Sequence, residues 1–405
     1  MTSSVASQRL TRAQLARIVL PLTVARLSVN IARRFPYPFL PAISRGLGVP
    51  LSSVQSVSAL QAGIGITSPL FGGLADRYGR KRVMLATLGL MTGAAVGGAL
   101  LPQFAVFALV MVLLGVGKML FDPAGIAYVG DRVPYAQRGA ALGMLELAWA
   151  GSLIIASPVV GFLLQTSGLQ AVFFALSMAL AATLGLVWLV IPSDYPNPTA
   201  RASAPPLNPL RMLRIVGRSR AASAALGYVI AIGVANELVF INYGAFMETS
   251  FGLLPLELGA LTTVIALAEV CGELLVIGIA DKFGKKRLAL TGALLASAMY
   301  VVLPLASFSL PLALASVFVM FLGVETAIVA SIPLYTEVLP EARSMMFSAV
   351  IGASSVGRFT GSVLGGILYR WTGSFLVLGV LSMGIVLVGA ALLWRFVPDE
   401  AGAIV

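Results

Sequence analysis

The chain has 405 residues, 59% of them hydrophobic and 11% charged, with a formal net charge of +11. About a quarter of the residues of a soluble domain are charged, so that class is excluded. The chain contains no histidine, which removes His-based triads and His-based metal sites; no Gly-x-x-x-x-Gly-Lys-Ser/Thr loop is present, and no other feature supports an enzyme.

Twelve apolar stretches follow one another, near 14–42, 52–75, 83–101, 104–128, 139–165, 169–191, 221–247, 255–280, 288–307, 311–335, 344–369 and 373–397. Each can supply the roughly 20 residues with which a helix crosses a bilayer. Helix is the expected state, because backbone groups in lipid must be satisfied within the segment. The alternating pattern of a β-barrel is missing. The first stretch is too long for a cleavable signal and contains Arg26, Arg33 and Arg34, so it reads as a membrane helix. Arg26 and Asn30 share a face, with Arg33 or Arg34 one turn on. Pro36 and Pro38 follow at once, so Arg33 and Arg34 are expected to snorkel to the outer surface. Arg26 is deeper and is the better candidate to hold an anionic group or to pair with Asp122 or Glu146.

The second stretch runs into Gly72-Gly73-Leu74-Ala75-Asp76-Arg77-Tyr78-Gly79-Arg80-Lys81-Arg82. The paired glycines allow close helix approach, and Asp76 is placed to meet Arg77, Arg80 or a neighbouring helix. The fourth stretch carries Lys118 and Asp122, four apart on one face and able to pair. Arg138 precedes the fifth stretch, which holds Glu146 and then Pro158 and Gly161, residues that kink and thin a helix. A Pro-rich polar break begins at Pro192 and reads as a linker. Leu210 to Arg220 then aligns Arg211, Arg214 and Arg218 as a short amphipathic helix at the membrane surface.

Beyond the linker, Glu237, Glu269, Glu273 and Glu325 fall within the seventh, eighth and tenth stretches, and Arg358 within the eleventh. Ionisable groups at membrane depth are costly and mark function. Glu269 and Glu273 are four apart and face one way, and a proton relieves both desolvation and repulsion. The candidates for carrying it are Glu237, Glu269 and Glu325, with Arg358 as the base that one of them can meet. The sign split between a basic first half and an acidic second half suits an amphiphilic or zwitterionic substrate.

Of the 27 Lys and Arg, 20 fall in loops on one side if the N-terminus is cytoplasmic. That is the positive-inside pattern, with both termini cytoplasmic in an inner, cytoplasmic membrane. The charge therefore reports orientation and argues against a nucleic-acid partner.

The basic loop recurs as Gly278-Ile279-Ala280-Asp281-Lys282-Phe283-Gly284-Lys285-Lys286-Arg287, its Asp281 lying 205 positions after Asp76. Arg138 and Arg343, Gly161 and Gly366, and Gly168 and Gly373 keep the same offset of 205. The chain thus reads as an N-terminal six-helix bundle (1–191), a cytoplasmic linker (192–220) and a C-terminal six-helix bundle (221–405). The whole is an all-α membrane protein with parallel repeats about an axis along the membrane normal.

On the twelve helices, the central linker and the loop from Gly72 to Arg82 with its second copy, the chain resembles the major facilitator superfamily of secondary transporters. It is similar in particular to the twelve-helix drug–proton antiporters. The resemblance implies alternating access and a cytoplasmic latch built from Gly72, Asp76, Arg77, Arg80, Arg138 and Asp281. Buried polar and charged positions, read from the residues themselves, make Arg26, Asn30, Arg34, Lys118, Asp122 and Glu146 the substrate-cavity candidates. The same reading of buried charge places proton coupling among Glu237, Glu269, Glu325 and Arg358; from the resemblance, Pro158 and Gly161 would be remnants of the antiporters' fifth-helix motif. Two departures stand out. Ser157-Pro158 and Gly161-Phe162 replace Gly-Pro and Gly-Gly, and Met111 or Leu113 replaces the basic residue of the fourth helix. The implied function is proton-coupled efflux of small amphiphilic organic compounds. Uptake or exchange of an organic anion, and flipping of a lipid or glycolipid, are the alternatives. The expected partners are a small-molecule substrate and the bilayer, with no cofactor beyond a proton gradient, and a monomer is expected.

Overall fold

The computed structural model describes residues 10–71, 74–193, 214, 216–339 and 343–398. The Pro-rich linker, Arg211 and Gly72 lie outside the described residues, and so do the side chains of Asp76 and Arg343. Among the described residues the chain is helical throughout, with no strand.

The first span consists of α1 (Arg12–Arg34) and α2 (Pro36–Leu47). The second is α3 (Leu51–Gly63), a 3-10 turn at Ile64–Thr67 and α4 (Ser68–Phe71). A short helix, α5 (Leu74–Tyr78), carries the basic loop. Spans three to six are α6 (Arg80–Leu100), α7 (Phe104–Arg132), α8 (Tyr135–Thr166) and α9 (Gly168–Val190). The seventh is α10 (Arg220–Phe240) and α11 (Tyr243–Phe251). Spans eight to twelve are α12 (Pro255–Phe283), α13 (Lys285–Leu305), α14 (Leu310–Val338), α15 (Arg343–Thr372) and α16 (Phe375–Phe396).

Ten of these helical segments are long and apolar enough to cross a bilayer on their own. The two that fall short are the second span, which its 3-10 turn interrupts, and α15, which carries Ser354, Ser355, Arg358, Thr360 and Ser362. These two pack against each other. Polar spans are tolerated where protein faces them in place of lipid.

Helix packing repeats from one half to the other. In the first half α1 packs on α7, α8 and α9, α6 on α7 and α9, and α3 on α7. In the second, α10 packs on α14, α15 and α16, α13 on α14 and α16, and α12 on α14. The halves meet through α8 with α12 and α3 with α15, two contacts that the same pseudo-two-fold relates. Backbone conformation follows suit. Among the described residues, those with positive φ are all glycine and come in pairs, Gly48 with Gly252, Gly79 with Gly284, and Gly168 with Gly373. Gly79 and Gly284, at φ 94° and 92°, start the helices after the two basic loops.

Spans one and seven both break about two-thirds of the way along, after Arg34 and after Phe240. Pro36 has no N–H to give, so α1 stops and α2 starts again from it. The seventh span breaks at Ile241 and Asn242. The two outer pieces, α2 and α11, then cross between the halves at the end distal to the N-terminus. There Tyr37 stacks on Phe240 with ring centroids 5.0 Å apart, and Gln55 donates to Asn242 Oδ1 at 2.8 Å. Gly244 lies against the Pro38 carbonyl, Gly161 against that of Pro255, and Gly259 against that of Ser157, so close that no Cβ fits. Arg45 and Glu248 form a bidentate pair at the rim, at 2.8 and 3.2 Å.

Replacing Gly284 with Ala forces an L-residue into the left-handed region, which costs about 1–2 kcal/mol. The apparent melting temperature of the purified protein should fall by several degrees. Gly278→Ala, at a position with open space around it and no positive φ, should leave it unchanged.

Candidate functional site

The interior charges gather where α1, α7, α8, α10, α12, α14 and α15 converge. Arg26, Asn30, Arg33 and Arg34 occupy successive turns of α1. Arg26 is nine-tenths buried and grips Glu146 of α8 through both terminal nitrogens, at 2.8 and 3.1 Å. Its Nε lies 3.6 Å from Asp122 Oδ1. Lys118 completes this group, donating to Asp122 Oδ2 and to Asn30 Oδ1, each at 2.6 Å. Two cations and two carboxylates thus neutralise one another inside the first half.

Arg34 behaves differently. It crosses to the second half and holds Glu269 of α12 by two hydrogen bonds, 2.6 and 3.0 Å, with both side chains buried. The same guanidinium donates to the Trp149 carbonyl at 2.8 Å and lies over the Trp149 ring, 4.1 Å from its centroid. The expected snorkelling of Arg33 and Arg34 does not occur; they are 6% and 4% exposed. The reason is local: Pro36 restarts the helix as α2, so these residues sit in mid-span.

In the second half Arg358 pairs with fully buried Glu237 at 2.6 Å, and Ser362 donates to the other carboxylate oxygen at 3.1 Å. Glu325 and Glu273 have neither a salt bridge nor a hydrogen bond among the described residues. Glu325 packs directly on Gly272 of α12 and lies in electrostatic reach of Glu269, Glu273, Glu146 and Arg34. Glu273 is in reach of Glu146, Glu269 and Arg26.

The two basic loops sit at the proximal end. Arg80 pairs with Asp131 at 2.8 Å, and Arg138 donates to the Val133 carbonyl at 2.9 Å. Arg77 lies over the Tyr78 ring. Asp281 is almost fully exposed, 3.8 Å from Lys285. These contacts each stay within one half. Pro158 lies inside α8, one turn before Gly161 and its contact with α12.

Sequence reasoning missed Trp149, which carries no charge. Lys118 and Arg358 also face its ring, at 5.3 and 5.9 Å from the centroid, so cations from α1, α7 and α15 surround one indole. Its spacing of three from Glu146 was the available signal. Gln55, Gln61, Asn242 and Tyr37, all buried, were missed too. Amides and hydroxyls inside apolar stretches deserve the same reading as charges.

A family model described as Major Facilitator Superfamily matches residues 22–241 and 224–403. An MFS-type transporter of Bacillus subtilis, YceJ, is 27% identical over 341 residues, 84% of this chain and 85% of its own. The multi-drug resistance efflux pump PmrA homolog of Lactococcus lactis is 26% identical over 344 residues, 81% of this chain and 82% of its own. Among solved structures, a bacterial homolog of the human lysosomal transporter Spinster, inward-facing and unoccupied, matches with a TM-score of 0.76 at 15% identity. That likeness covers 97% of this chain and 100% of the other and concerns the fold.

Removing one partner of a buried ion pair costs about 3–5 kcal/mol, because the other charge is left alone. Glu269→Gln should therefore lower the apparent melting temperature markedly, while Arg34→Met with Glu269→Leu should recover most of the loss. Arg45→Ala, at a pair whose Arg side chain is 60% exposed, should cost less than about 1 kcal/mol.

Proposed function

The chain belongs to the Major Facilitator Superfamily, and from that premise we propose that it is a proton-coupled exporter of small amphiphilic organic compounds. The names of relatives as multidrug efflux pumps support the choice of cargo. The observation that carries proton coupling is Glu325. It is a carboxyl at membrane depth among other carboxylates, with no bonded partner, whereas Glu237 and Glu269 are each held by an arginine. A proton on Glu325 removes a charge that no neighbour neutralises. Glu273, one turn from Glu269, shares the position.

With the basic loops taken as cytoplasmic, the closed distal end is the outer one. Opening it requires Arg34 to leave Glu269 and Tyr37 to leave Phe240, while the basic loops come together on the inside. In that reading Asp76, Arg77, Arg80, Arg138 and Asp281 latch the opposite state, and Asp281 is free to do so here because it is exposed. Two rigid halves rocking about a central site is the mode such repeats support.

In liposomes, an imposed proton gradient should drive accumulation of the amphiphilic, carboxylate-bearing dye rhodamine B by the wild-type protein. Glu325→Gln should reduce that drive at least about tenfold, corresponding to about 1.4 kcal/mol, with Glu257→Gln at the exposed start of α12 as a control that stays active. Undiminished gradient dependence in Glu325→Gln would remove this residue from the coupling scheme.

A further inference from the structure

Five cations lie at membrane depth, and four have a carboxylate: Arg26, Arg34, Lys118 and Arg358. Arg33 has none among the described residues. Its Nη1 donates to Gln61 Oε1 at 2.6 Å and to the Tyr37 hydroxyl at 3.2 Å. Gln61 is itself fixed by a hydrogen bond from Nε2 to the Met111 carbonyl at 3.1 Å. The Arg33 guanidinium is thus positioned by neutral acceptors through one terminal nitrogen only. Nε and Nη2, the edge with which arginine takes an oxyanion two-pronged, have no acceptor, and neither is sealed off completely. A permanent charge held at this depth without an opposite charge is costly.

Unused donors cluster around it. Asn30, one turn earlier on α1, is fully buried and its Nδ2 has no partner. Lys118 spends two of its three hydrogens, on Asn30 and Asp122, and is in electrostatic reach of Arg33. The first half therefore holds one cation too many and several donors without an acceptor.

We propose that Arg33, with Asn30 and Lys118, is the seat of an anionic oxygen group of the transported molecule, a carboxylate or phosphate carrying a single negative charge. The cargo is then an amphiphile with an acidic end, bound at α1, α3 and α7, while protons are handled at Glu325 in the other half. This rests on the exporter reading and adds the acidic end to it.

The test is binding by the full-length protein in uncharged phosphatidylcholine nanodiscs. The probes are a fluorescent coumarin carboxylate and its primary amide, with chloride and inorganic phosphate in separate arms. The wild-type protein should prefer the carboxylate at least about tenfold, and Arg33→Gln should abolish the preference. Asn30→Asp keeps the bond to Lys118, loses none at Nδ2 and supplies a built-in anion. It should raise the apparent melting temperature and remove carboxylate binding, and it decides the matter if Arg33→Gln does not fold. Equal binding of carboxylate and amide overturns the proposal, as does an Asn30→Asp protein that is less stable and still binds. Complete displacement of the carboxylate by millimolar chloride makes this a small-ion site and also overturns it. Gradient-driven dye transport, measured on the same preparation, separates failure of this site from failure of the exporter reading.

Discussion

A charge inside a membrane must meet its opposite, and the interior of this protein is arranged by that demand. Most of its buried ions satisfy it locally: Arg26 and Lys118 with Glu146 and Asp122 in one half, Arg358 with Glu237 in the other. The bond between Arg34 and Glu269 satisfies it across the halves. Each of these two needs the other as long as water stays out. Parting the halves therefore requires a replacement partner for both, either water entering from the opened side or a bound molecule. The link is strong and conditional, which is what an alternating cycle asks of a contact that forms and breaks in every turn.

The apolar periodicity of the chain reveals the twelve spans, and the spacing of the basic loops reveals the repeat, because both are properties of position along the chain. The Lys118–Asp122 pair was legible for the same reason, being one helical turn long. The Arg34–Glu269 bond spans 235 residues, and nothing in either helix alone names the other. The prolines after Arg34 look like the end of a helix. In the fold they mark a restart, which turns two arginines from surface groups into central ones. Trp149 left only its spacing from Glu146, because its role depends on three cations arriving from three other helices. The glycines at 168 and 373 share the offset of 205 and, in the fold, a left-handed conformation, which the sequence alone does not display.

The conformational account has a structural counterpart in where closure is made. At the distal end, backbone meets backbone at Gly244, Gly161 and Gly259, and ring meets ring at Tyr37 and Phe240. Polar links there are few, the Gln55–Asn242 hydrogen bond and the Arg45–Glu248 pair at the exposed rim. At the proximal end, the described contacts of the basic loops stay within each half.

The pseudo-two-fold relating the α8–α12 and α3–α15 contacts has one more consequence. In a homodimer, such an isologous interface sets each residue near the axis against its own copy. A buried arginine there would face an arginine. Joining two copies in one chain lifts that restriction, and here the lifting is complete. The positions 205 residues from Arg34, Glu269, Glu237, Arg358 and Glu325 hold Val239, Ile64, Ala32, Leu153 and Leu120. The duplicated scaffold repeats its helix contacts from one half to the other, while the charges held inside it do not repeat. In the exporter reading, a molecule with two unlike ends entering between such halves would be held one way round before its release.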